Sequence, residues 1–233
     1  MIMFKNLTKP RWIVLTLFLV FLIFLFVRLS NWQFDRYDQR VSRNESTNIA
    51  LSSPPKKIES LSQISDLKQW ERINITGNYI NDQSKLVRKQ YVESNLGFWV
   101  ITPFTIQNGE TILINRGWIP IGSSASTNQI IPLAPVGTVN LEGYLQPFNE
   151  SITQPKDLPL NQVNTIDYKY FESDIANNFY VQLAKSSPMD NQVAIIPLPE
   201  LSNGPHFSYA IQWILFALLL PIGWYVLLKN ETK

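Results

Sequence analysis

The sequence predicts an α+β membrane protein. Two transmembrane helices flank a mainly antiparallel β domain, a sandwich or partial barrel, that carries short helices. Three observations predict it. Two long apolar spans stand near the two ends of the 233 residues. Between them, hydropathy alternates with period two in short runs. Gly, Pro and Asn separate these runs at hairpin spacing.

The first span, Trp12 to Val27, reads WIVLTLFLVFLIFLFV, with Thr16 its only polar residue. It covers only about 24 Å, short of the roughly 30 Å hydrocarbon core. The helix therefore continues past Arg28, whose stem snorkels to the headgroups, and the first transmembrane segment is residues 12–29. Residues 209–228 form the second and reach about 30 Å. This span contains Gln212 and Pro221, and the Gln212 amide is expected to pair the two spans. Trp12, Trp32, Tyr209 and Tyr225 lie near the span ends, as interfacial aromatics do. The bulky run Val27-Arg28-Leu29-Ser30-Asn31-Trp32 offers no small-x-small cleavage site, so the first span is expected to stay as an anchor. Two spans put both tails, residues 1–11 and 229–233, on one side. Charge on the two sides leaves the orientation open; because long loops translocate largely regardless of charge, the tails are expected in the cytoplasm and residues 30–208 in an extracytoplasmic domain.

Within that domain, Asn44 to Pro55 is rich in Ser, Thr and Asn and reads as a loop. Ile58, Leu61, Ile64 and Leu67 suggest a short amphipathic helix over Lys56–Trp70. Strands are expected at Arg72–Tyr79, Lys85–Tyr91, Phe98–Ile106, Thr111–Trp118 and Thr138–Leu145. Asn108-Gly109 should turn the Phe98–Ile106 and Thr111–Trp118 pair into a hairpin with positive φ at both central residues. Phe171–Asn177 suggests a short helix, and Phe179–Leu183 and Val193–Ile196 closing strands. Ile121–Pro135 and Asn149–Val163 read as long loops.

Composition excludes several functions. There is no cysteine, so disulfides, thiolate zinc sites, iron–sulfur clusters and Cys nucleophiles are out. With one histidine, no two-His metal site forms within the chain. A net charge of +2 gives no footprint for a nucleic acid partner. The 18 acidic residues are scattered and no Gly-x-Ser-x-Gly elbow is present, so the chain does not read as an enzyme. The solitary His206 is the exception to this plainness. If Pro205 opens a helix, His206, Tyr209, Ala210 and Trp213 share one face at the membrane surface. An imidazole there could ligate a flat, apolar metal cofactor. The alternative is an interfacial histidine that merely anchors a helix.

Several motifs then line up. They are Trp32-Gln33-Phe34-Asp35-Arg36, Gly77-Asn78-Tyr79, Gly97-Phe98-Trp99-Val100-Ile101-Thr102-Pro103, Asn115-Arg116-Gly117-Trp118-Ile119-Pro120, Glu142-Gly143, and His206-Phe207-Ser208-Tyr209-Ala210-Ile211-Gln212-Trp213. In order and spacing the chain resembles the Surfeit-locus-one family of cytochrome c oxidase assembly factors. The resemblance implies a helix, a domain on the outer face of the bacterial inner membrane, and a second helix. It implies binding of haem a and help with its insertion into the catalytic subunit of a haem–copper oxidase, with haem a synthase as a further partner. His206 matches the proposed haem ligand, with Tyr209 and Trp213 beside it. Pro205 departs from the family pattern, where Asn often precedes the histidine. Arg28, Trp32 and Arg36, at i, i+4 and i+8, would be a propionate clamp or a docking stripe; otherwise they are snorkelling and solvated side chains. Arg116 would bond loop carbonyls, with Gly117 permitting a bulge and Trp118 filling the core; otherwise Arg116 serves the ligand or a partner. A cofactor-free scaffold that holds an oxidase subunit is the alternative to haem delivery.

Overall fold

The computed structural model describes residues 9–122, 129–148, 154–155, 157–173, 175 and 179–231. The chain divides into a helical unit, Met1–Ser46 with Glu200–Lys233, and a β unit, Thr47–Pro199.

The first helix, α1, is a single run of 43 residues, Pro10–Ser52. At 1.5 Å per residue it is about 65 Å long, twice a hydrocarbon core. The Asn44–Pro55 stretch is thus helical as far as Ser52, not a loop. Ser46 and Ser52 donate back to the carbonyls of Ser42 (3.0 Å) and Asn48 (2.8 Å), so these hydroxyls do not compete with the helical ladder. Pro54 and Pro55 follow and end it. The second helix, α2, is His206–Glu231. Pro205 precedes it, and the Pro205 carbonyl accepts from the Tyr209 N–H at 3.1 Å. Both helices are long and apolar enough to cross a membrane.

The helical unit is joined along one seam. On α1 it follows Trp12, Phe26, Ser30, Tyr37, Arg40 and Asn44, whose spacings of three, four, seven and fourteen fit a 3.5-residue period. The Trp12 ring meets Trp224 edge-on at 6.1 Å, and Phe26 lies 5.3 Å from Trp213. The Ser30 hydroxyl donates to the Ala210 carbonyl at 3.0 Å, wholly buried. Tyr37 lies 5.5 Å from Phe207. Arg40 Nη1 donates to the Ser202 carbonyl at 3.1 Å, and Asn44 Nδ2 to Asn203 Oδ1 at 2.8 Å. Small buried residues, Ser30 and Ala210, let the two backbones approach. Gln212 faces outward and makes no hydrogen bond among the described residues, so it does not pair the spans. Its place is 200° around α2 from Ala210, where the Ser30 bond is made.

The β unit contains eight strands among the described residues: β1 (Lys56–Lys57), β2 (Arg72–Tyr79), β3 (Lys85–Val92), β4 (Asn95–Ile106), β5 (Thr111–Pro120), β6 (Val139–Pro147), β7 (Gln162–Val163) and β8 (Phe179–Ser187). They form one mixed sheet in the order β1-β2-β6-β8-β5-β4-β3-β7, with a further β2–β4 pairing. That last pairing closes β2, β6, β8, β5 and β4 into a ring, so the sandwich alternative gives way to a small barrel. The ring is antiparallel except for β5–β8. It closes at the Gly77-Asn78-Tyr79 motif, where β2 pairs with Phe104–Ile106 of β4. A Cβ at Gly77 would stand 2.0 Å from the Thr105 carbonyl oxygen, so only glycine permits the closure.

Ile73, Ile75, Phe104, Ile112, Ile114, Leu141 and Val181 form the principal core with Ile58, Leu61 and Ile64. Each fully buried side chain of this size contributes about 1.5–3 kcal/mol. Ile101, Leu113 and Tyr180 alternate with these residues and build a second cluster on the opposite face.

Other elements differ from expectation. Over Lys56–Trp70 the helix is one 3-10 turn, Leu61–Ile64, capped by Ser60 and Gln63, beside β1. The spacing of three that suggested an α-helix is the 3-10 period itself. In the β4–β5 turn only Gly109 has positive φ (+92°), and the Gly109 N–H donates to the Ile106 carbonyl. This is a turn followed by a glycine bulge, so two positive φ values are not needed. Val193–Ile196 is reduced to a single bridge, Trp118 with Ala194. Phe171–Ser173 is not helical, a 3-10 turn occurs instead at Tyr168–Tyr170, and the remainder of the expected helix lies partly outside the described residues. The same is true of parts of the expected loops Ile121–Pro135 and Asn149–Val163, of which Gln162–Val163 is strand β7.

Candidate functional site

His206 is the first residue of α2 and lies on the seam. Its Nδ1 stands 2.8 Å from Oε1 of Gln33, on α1. Nε2 makes no hydrogen bond among the described residues. One turn further along α2, Ala210 is fully buried against Ser30, and Trp213 is half-buried against Phe26. Beyond Phe26 an apolar groove of about 500 Å³ runs between the helices, with Leu19, Phe216 and Trp224 among its walls.

The structure divides the residues expected to form the site. His206 and Trp213 are on the seam. Tyr209 is 47% exposed and faces outward. It is three positions from His206, hence 60° to one side, whereas Trp213 at seven positions is only about 20° off. Arg28 is also exposed on the outside of α1, five residues and about 140° from Gln33. Trp32 and Arg36 share that outer stripe, with the Arg36 guanidinium 5.7 Å from the Trp32 ring centre. The cation on the His206 side is Arg40, not Arg28. Gln33 stands in the Trp32–Arg36 motif without a role there, and neither it nor Ser30 is expected at the site, although the spacing Phe26, Ser30, Gln33, Tyr37, Arg40, Asn44 carries their signal.

No cluster of three or more His, Cys, Asp or Glu occurs among the described residues. A bare divalent ion, which needs several protein ligands, does not suit His206. A porphyrin iron brings four nitrogens of its own and needs one axial imidazole. A ring anchored at one nitrogen and open at the other, beside apolar and aromatic surface, fits that requirement.

Arg116 belongs to the core of the β unit. It is the extra residue of a β-bulge, since Val100 pairs with Gly117 but Ile101 with Asn115. The bulge turns its side chain inward, where it is 0% exposed. Nε and Nη2 both lie 2.7 Å from Asp190 Oδ2, and Nη1 donates to the Pro132 carbonyl at 2.6 Å. Gly117 (φ +151°) permits the close approach, because a Cβ there would stand 2.4 Å from the Ala194 oxygen. Trp118 is half-buried rather than in the core, and its Nε1 donates to the Gln90 carbonyl at 3.1 Å. Glu142, also buried, accepts from Arg72 and, at 2.8 Å, from Lys185. The Lys185 bond, then Arg72, holds its carboxyl below the ordinary 4.5.

A model of the SURF1 family matches residues 20–218. The chain belongs to the SURF1 family. A SURF1-like protein of Mycobacterium tuberculosis is 30% identical over 230 residues, covering 93% of this chain and 83% of that protein. A SURF1-like protein of Rickettsia prowazekii is 23% identical over 240 residues, covering 97% and 91%. One from Dictyostelium discoideum is 35% identical over 127 residues, 51% and 46% of the two chains. The SURF1 family is one of oxidase assembly factors, not an enzyme class, and the two apolar helices suit a membrane protein.

Proposed function

We propose that this SURF1 protein binds haem a through His206 and helps its insertion into the catalytic subunit of a haem–copper oxidase. The β unit lies in the periplasm and both termini in the cytoplasm, and haem a synthase is a further partner. One observation carries the reading. The single histidine is held on the helical seam at Nδ1, while Nε2 makes no hydrogen bond among the described residues. Bound haem a would supply redox-active iron. His206 would hold it through its imidazole, with Trp213 and Phe26 as apolar neighbours and Arg40 as the cation on that side.

The same Nδ1 bond also suits a cofactor-free scaffold, in which His206 only ties the helices together. The test is purification from haem a-producing cells. In the haem reading, His206→Ala loses the pigment and its absorbance. Tyr209→Ala and Arg28→Gln, on outward faces, retain it. Equal haem occupancy in wild type and His206→Ala, with an intact crosslink to the oxidase subunit, would establish the scaffold instead.

A further inference from the structure

We infer that Gln33 is a positioning residue that presents Nε2 of His206 to the iron. The inference rests on the haem reading above. A neutral imidazole carries one proton and one lone pair on its two nitrogens. The atom facing Nδ1 at 2.8 Å is the amide oxygen of Gln33, which only accepts. With that oxygen as the acceptor, a neutral His206 carries its proton on Nδ1 and its lone pair on Nε2. Gln33 is itself fixed from both sides along α1. Ser30, one turn before it, bonds Ala210; Tyr37, one turn after it, packs on Phe207. No other polar group of either helix, among the described residues, meets the ring. A metal-bound histidine characteristically donates its other N–H to an acceptor, which is the arrangement Gln33 offers.

The acceptor does two things for a ligand. It fixes the plane of the ring, and it draws the Nδ1 proton away so that Nε2 becomes more basic. A stronger acceptor at residue 33 favours ferric iron and lowers the midpoint potential; removing the acceptor raises it.

The test uses the full chain in detergent, titrated with haem a. Gln33→Leu, Gln33→Glu and His206→Ala are compared with wild type after far-UV circular dichroism confirms folding. Gln33→Leu is expected to weaken binding about 10–100-fold and raise the midpoint potential. Gln33→Glu keeps an acceptor, so it retains wild-type affinity and shifts the potential the other way. A merely structural Gln33 would not move the potential in opposite directions in two folded proteins. If His206→Ala loses haem while both Gln33 variants keep wild-type affinity and potential, Gln33 has no such role and the haem reading stands. If His206→Ala binds haem as wild type does, the haem reading itself fails. Should Gln33→Leu not fold, the potential of Gln33→Glu alone decides.

Discussion

The β unit and the helical unit are stabilised in opposite ways. In the β unit, apolar side chains and charged groups, among them the Arg116–Asp190 pair, are withdrawn from water together. In the helical unit most apolar side chains point outward; Phe18, Phe24 and Leu218 are each more than half exposed. Lipid is as apolar as a leucine side chain, so burial gives little preference for one helix pairing over another. Specificity then falls to a narrow line of small and hydrogen-bonding residues. A group on such a line can be held firmly at one atom and open at another, which a packed barrel interior does not allow. His206 is placed in that way.

Three substitutions break or sharpen the comparison. Arg116→Leu has the largest effect, because it strands the Asp190 carboxylate in the core. It should cost about 3–5 kcal/mol, measured by denaturant unfolding of the full chain in detergent. A loss below about 1 kcal/mol would mean that the pair behaves as a surface one. Glu142→Gln comes next, and its effect depends on pH. The folded carboxyl titrates below 4.5, so its stabilisation is complete above that pH and is lost as pH falls through the lowered folded value. The wild type should lose stability in that acid window, and the variant should be less stable at neutral pH with a flatter acid response. Ser30→Ala has the smallest effect, about 0.6 kcal/mol, read as a slight fall in thermal midpoint. A cooperative collapse of both units on this one change would remove the distinction between them.

The strands were the most legible part of the chain. Arg72–Tyr79 alternates because every second side chain faces the barrel interior, and its limits match those of β2. Sequence could not show the ring closure, which depends on Gly77 meeting a carbonyl nearly 30 residues away. Nor could it pair Arg116 with Asp190, 74 residues apart. In α1 the Ser- and Asn-rich tail argued for a loop on intrinsic propensity, and tertiary bonds such as Asn44 with Asn203 overrode it. The stripe Arg28, Trp32, Arg36 follows steps of four. The 3.5-residue seam, one face over, carries Gln33 and so half of the candidate site.

The helical seam spans almost the whole chain in sequence. Ser30 and Ala210 are 180 positions apart, and Gln33 and His206 are 173. Translation runs from the N-terminus, so the amide acceptor leaves the ribosome long before the imidazole exists. A nascent or prematurely stopped polypeptide thus exposes a glutamine with nothing to orient. Under the haem reading, pigment capture must await synthesis of the second membrane helix, and iron loading reports that both helices have met.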